Sequence, residues 1–120
     1  MAHILIQNKA NLNAFSNSKK TPLHFAALNN QVEAINLLID SGANMECLSE
    51  EQCTPLHFAC KKGYIECVES LLVKGADLYA LDMRQWTPLH YATYNGHRDV
   101  VNLLLKNDAD FDKLRFMLNS

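Results

Sequence analysis

Two residue types in this chain carry chemistry beyond packing: five histidines, at positions 3, 24, 57, 90 and 97, and four cysteines, at 47, 53, 60 and 67. As metal ligands they would need the close grouping of a structural zinc site, such as two cysteines separated by about two residues. Successive cysteines here lie six or seven positions apart, and none pairs tightly. A nucleophile and its base would have to be Cys53 and His57, at an expected helix start where the backbone dipole favours a thiolate. No third group stands ready to orient that histidine, and no oxyanion pocket is evident. The four glycines are isolated, so they make no phosphate-cradling loop. These residues give no catalytic site, no cofactor site and no metal site.

What three of the histidines share is an interval. Thr21-Pro22-Leu23-His24, Thr54-Pro55-Leu56-His57 and Thr87-Pro88-Leu89-His90 are spaced by 33 residues, without insertion. The register extends further. Gly42-Ala43-Asn44-Met45 is followed by Gly75-Ala76-Asp77-Leu78 and Asp108-Ala109-Asp110-Phe111, and is preceded by Lys9-Ala10-Asn11-Leu12. The apolar triplets Leu37-Leu38-Ile39, Ser70-Leu71-Leu72 and Leu103-Leu104-Leu105 keep the same phase, as does Ile4-Leu5-Ile6. A fixed period of this size means one supersecondary unit stacked on copies of itself.

The elements that position the histidines follow from local chemistry. Threonine before proline is a strong helix N-cap followed by a good first helical residue. The first helix, for example Pro55 to Lys62, stops at Gly63, with Asn30 and Gly96 as the matching stops. A second helix is expected over Val32–Asp40, Ile65–Lys74 and Arg98–Lys106, with apolar residues at helical spacing in Ile65, Val68, Leu71 and Leu72. The stretch back to the next Thr-Pro is polar and turn-rich, and reads as a projecting loop or short hairpin.

This wording closely resembles the ankyrin repeat family. The matching residues are Thr-Pro-Leu-His-Phe-Ala at 21–26 and 54–59, Thr-Pro-Leu-His-Tyr-Ala at 87–92, and Asn95-Gly96-His97 with Asp99-Val100-Val101. The resemblance implies an all-α solenoid of helix-turn-helix units with projecting β-hairpin loops, and a single domain over 1–120. Its units are 16–48, 49–81 and 82–114, with a partial unit at 1–15 and the opening of another at 115–120. It also implies that His24, His57 and His90 tie each first-helix start to neighbouring loops, and that His97 holds a usual place in the inter-helix turn. Lys9 and Asp108 depart from the family by replacing the glycine expected after the second helix, and Ser70 interrupts an apolar triplet. The chain is expected to be a segment of a longer array, because it starts within a second helix and stops where another hairpin would open.

Composition bounds the partners. Eleven basic against thirteen acidic residues give a net charge of −2, and the basic pairs Lys19-Lys20 and Lys61-Lys62 flank Glu50-Glu51 in sequence, which argues against nucleic acid. No apolar run is long enough to span a membrane, and no basic leader precedes a signal core. Cys60 falls where the first unit has Ala27, and Cys67 where the third has Val100, so both read as small buried hydrophobes. Cys47 and Cys53 fall in the loop segment, where more exposure is expected. With no disulfide framework, the expected location is intracellular, cytoplasmic or nuclear.

Function is then expected where the units differ over a fixed framework. The loops read Asn17-Ser18-Lys19-Lys20, Glu50-Glu51-Gln52-Cys53 and Met83-Arg84-Gln85-Trp86; the first-helix ends read Leu28-Asn29, Lys61-Lys62 and Tyr94-Asn95. The third unit concentrates Met83, Arg84, Trp86 and Tyr94, and Trp, Tyr and Arg are the types enriched among interface hot spots. Trp86 has two readings, as a ring covering adjacent loops and as a partner contact; Arg84 and Tyr94 have only the second. The expected function is a non-catalytic protein–protein interaction module or scaffold, binding through hairpin tips and the concave first-helix face. The alternative is a regulatory ankyrin segment of a larger multidomain enzyme or channel. The partner is another protein or another domain of the parent chain, and the module is expected to be a monomer open to end-to-end association. The resemblance further implies a hydroxylation site at Asn13, with Leu5 eight residues before it; Asp112 with Leu104 is an acidic counterpart, whereas Glu46 and Tyr79 do not fit.

Overall fold

Each Thr-Pro step starts a helix for a definable reason. The threonine backbone is extended, its hydroxyl accepts the amide of the histidine three residues on, and the imidazole Nδ1 in turn accepts the threonine amide. Histidine thereby takes the place that glutamate or glutamine holds in the usual capping box. In the computed structural model, which describes residues 19–119 and side chains as far as Asp108, the helices are α1 (Pro22–Leu28), α2 (Val32–Asp40), α3 (Pro55–Lys62), α4 (Ile65–Val73), α5 (Pro88–Tyr94) and α6 (Arg98–Asn119). The partial unit at 1–15, with Lys9, Asn13 and the Ile4-Leu5-Ile6 triplet, lies outside the described residues, as do His3, Asn17 and Ser18.

Left-handed backbone punctuates the array in the same register. Asn30, Gly63 and Gly96 sit at φ 58°, 74° and 73° between the two helices of each unit. Gly63 has a second constraint, because a Cβ there would meet the His97 ring at 2.4 Å. Lys19, Gln52 and Gln85 take φ 62°, 65° and 67° at the loop tips. There the chain folds back on itself, as Ser49 N bonds to Cys53 O at 3.0 Å and Asp82 N to Trp86 O at 3.0 Å. Among the described residues these loops form tight turns and no strand is made. Neighbouring tips are joined by Met83 N donating to Glu51 O at 2.9 Å.

The helices form two rows. α1, α3 and α5 pack side by side, and α2, α4 and α6 cover them. Leu23, Leu56, Ile35, Val68, Leu38, Leu71, Val100 and Leu104 fill the seam between the rows. Truncating any one of the leucines would cost about 2–5 kcal/mol. Ala27 and Cys60 repeat at one fully buried position, and Cys67 and Val100 at another, as the register predicts. α4 ends at Val73, one residue before the expected Lys74. The larger departure is α6. It was expected to stop at Lys106 but continues to Asn119, through the stretch read as the opening of a further hairpin. After α2 and α4 the chain turns at Gly42 and Gly75, at φ 105° and 100°, and the residue in register is Asp108. A β-carbon disfavours that backbone, so the helix propagates instead.

Candidate binding surface

The surface is built on a rigid frame, and the repeated histidines make that frame. Because Nδ1 of His24 accepts the Thr21 amide at 3.0 Å, its proton sits on Nε2, which donates to Cys53 O of the next unit at 2.8 Å. His57 repeats the pattern, accepting from Thr54 N at 3.0 Å and donating to Trp86 O at 2.9 Å. The rings also meet the next unit edge-on, His24 against Phe58 at 5.5 Å and His57 against Tyr91 at 5.7 Å between centroids. Burial pushes both imidazoles below their ordinary range, although their carbonyl partners pull the other way. Neutral rings that bridge units are what a structural role requires. His97 adds a further tie, as its Nε2 bonds to Lys61 O at 3.0 Å and so caps α3 from the following unit.

The third loop is organised by a carboxylate. Asp82 is only 5% exposed, yet each of its oxygens is satisfied. Oδ1 accepts from Arg84 N at 2.8 Å and Trp86 N at 2.9 Å; Oδ2 accepts from the Tyr91 phenol and, at 3.7 Å, from the Cys53 thiol. Desolvation works against this carboxylate, but the Tyr91, Trp86 and Arg84 donors outweigh it and hold its pKa below the usual value. Burial and the same contact push the Tyr91 phenol upward. Among the described residues Asp82 has no ion-pair partner, and a buried anion so placed persists only when its lone pairs are filled in this way.

These contacts leave a groove of about 120 Å³ between the second and third units, with Glu51, Phe58, Lys61, Met83, Arg84 and Tyr91 among its lining residues. Met83 is 61% exposed on its rim. Beside it the aromatic side chains cluster. Trp86 is half-buried, stacked on His90 at 5.7 Å and edge-on to Tyr91 at 5.1 Å and Tyr94 at 5.4 Å. Trp86 thus packs on the frame through His90 and Tyr91, the first of its two readings, and touches Tyr94, which is 78% exposed.

The expected contact residues divide accordingly. Glu51, Lys61, Met83 and Arg84 come together at the groove, and Trp86 and Tyr94 adjoin one another. Glu50 and Lys62 are exposed but do not line the groove. Asn29 and Asn95 are exposed, yet each amide turns back onto its own helix, to Phe25 O and Tyr91 O at 2.8 Å. Leu28 is half-buried against the core. Asp82, Tyr91 and Phe58 were not anticipated. The sequence did carry a signal for two of them: in register, Ser49 becomes Asp82 and Phe58 becomes Tyr91, and both changes fall in the same unit.

The expectation of a more exposed Cys53 is corrected: it is 4% exposed, because the next unit's Asp82 and Tyr91 close over it. Burial first, then the neighbouring carboxylates, raise its thiol pKa. His57 has both ring nitrogens committed to Thr54 and Trp86, so the two do not form a nucleophile–base pair. Cys47 is half-buried, with Sγ 3.1 Å from Thr21 Oγ1. Cys67 is pushed up to about 11 by burial and Glu66, and Cys60 higher still by burial alone. Among the described residues no group of three or more His, Cys, Asp or Glu side chains converges to hold a metal ion, and no helix is long and apolar enough to cross a membrane.

A family model described as ankyrin repeats (3 copies) matches residues 33–114, and one described as ankyrin repeats (many copies) matches residues 1–39. No curated protein matches the chain.

Proposed function

The chain belongs to the ankyrin repeat family, whose domains are generally protein–protein interaction modules and typically non-catalytic, and from that premise we propose that it binds its partner along the loop tips and first-helix face, centred on the third unit. The observation that carries this reading is the pairing of exposure with rigidity. Met83 and Tyr94 stand open to solvent while the backbone beneath them is held by Asp82, Tyr91 and His57. Side chains fixed on such a frame lose little ordering entropy on binding. The Cys53 environment supports a binding module over a thiol enzyme, as a protonated, covered sulfur is a poor nucleophile. Whether the partner is a separate protein or a further domain of one chain, the same side chains make the contact.

The test is a quantitative affinity capture comparing the native chain with a Met83→Ala, Arg84→Ala, Tyr94→Ala variant, with thermal unfolding as a control for folding. Partners retained by the native chain should be lost from the variant. Equal recovery by both would move the binding surface elsewhere.

A further inference from the structure

The lining of the groove between the second and third units balances two cations against two carboxylates, but its solvent-facing charges are two cations and one carboxylate. Overall the chain carries net −2. Around the groove, however, Lys20 Nζ stands 5.8 Å from the Phe58 ring centroid, and Lys61 and Arg84 line the walls. Two carboxylates line it as well. Asp82 is buried and its oxygens are filled by backbone amides, a phenol and a thiol, so it offers little to an incoming cation. Glu51 is the one carboxylate of the lining that faces solvent. Among the described residues neither Lys61 nor Arg84 has an ion-pair partner, and the ion pair is Lys74 with Asp40, at 2.6 Å on the other helix row. Apolar surface lines the groove with them at Met83, and exposed Tyr94 joins it through Trp86, which packs on the lining residue Tyr91.

We infer that the groove takes an acidic segment of a partner protein, with a carboxylate between Lys61 and Arg84 and a neighbouring apolar side chain against Met83 and Tyr94. This rests on the interaction-surface reading above and adds the chemical class of the partner. An arginine fork and a lysine ammonium lining one groove suit a carboxylate, which can accept from both. A thioether beside them adapts to varied apolar neighbours. Glu51 sets a limit on the attraction and supplies the internal control.

The experiment uses the full chain and three short fluorescent peptides, in which leucine alternates with glutamate, glutamine or lysine. The glutamate peptide should bind tightest, and more weakly as salt is raised. Lys61→Glu and Arg84→Glu should each weaken it about threefold to tenfold, while Glu51→Gln should strengthen it. All three positions are exposed, and thermal unfolding confirms that the variants fold. Amide shifts on titration should centre on Met83, Arg84 and Tyr94. The inference is overturned if the lysine or glutamine peptide binds as well, or if the charge variants leave the affinity unchanged. Shifts at Met83 and Tyr94 with only the neutral or basic peptide reject the acidic class but keep the surface. Shifts confined to α2 and α4, or none with any peptide, reject both. Concentration-dependent shifts at these residues without peptide assign the groove to a second copy, and also overturn the inference.

Discussion

The Tyr91 phenol donates to the Asp82 carboxylate, joining the first helix of the third unit to the loop that precedes it. The second unit has Phe58 and Ser49 at these positions, and there Ser49 Oγ merely accepts from Cys53 N at 3.2 Å. The third loop is therefore held by a buried anion where its neighbour uses a hydroxyl. It is also the loop that presents Met83 and Arg84.

Removing the Asp82 acceptor alone should cost more than exchanging both partners for those of the second unit. Asp82→Ala leaves the Tyr91 phenol and the Arg84 and Trp86 amides without their acceptor, a loss of about 2–4 kcal/mol. Tyr91→Phe should cost about 1 kcal/mol. The double variant Asp82→Ser, Tyr91→Phe recreates the second unit's pair, and urea unfolding should show it closer to native than Asp82→Ala. With Asp82→Ser alone measured as well, strict additivity of Asp82→Ser and Tyr91→Phe would mean that the contact contributes nothing.

Stability should fall on mild acidification. Burial lowers the folded-state pKa of His24 and His57 below the ordinary 6.5. Below that pH the unfolded chain takes up protons that the folded chain refuses, so stability is full above 6.5 and declines as pH drops through and beneath it. Glu46, whose carboxyl is raised by burial, and Asp82, whose carboxyl is lowered, act in the separate window around pH 4. Urea midpoints measured between pH 8 and 5 check the sign. A midpoint that rises at pH 5 would contradict the buried neutral rings.

Much of this was legible because the period does the reading. Threonine caps, proline starts and left-handed stops fixed five of the helices to within a residue, and a single interval matched each of three histidines to the threonine that caps its helix. The misses concern contacts across the stack. Cys53 is buried by Asp82 and Tyr91, 29 and 38 residues further on, which no local pattern at Cys53 reveals. α6 outran its expected end because the register matched Asp108 with glycines whose backbone an aspartate resists.

Glycine 63 should be less replaceable than Gly96. Both sit near φ 74°, so alanine at either strains the backbone by about 1–2 kcal/mol. At Gly63 the new Cβ also strikes the His97 ring, whereas at Gly96 nothing lies within 4 Å. Gly63→Ala should therefore lose at least about 1 kcal/mol more. Equal losses in thermal unfolding would show that the ring moves aside freely.

Thiol labelling of the folded chain should follow burial. Half-buried Cys47 reacts first, and Cys53, Cys60 and Cys67 react only as the chain opens. Labelling followed by mass mapping gives the order. Cys53 modified first, at neutral pH, would restore the nucleophile reading.

The most direct test of the central claim is site-specific photo-cross-linking to bound partner. One photoreactive residue replaces Met83 beside the groove, and in a second protein it replaces Val73, which is more open to solvent still but lies at the end of α4 in the other helix row. The account predicts partner adducts from position 83 and none above background from position 73. Adducts from position 73 alone would contradict it.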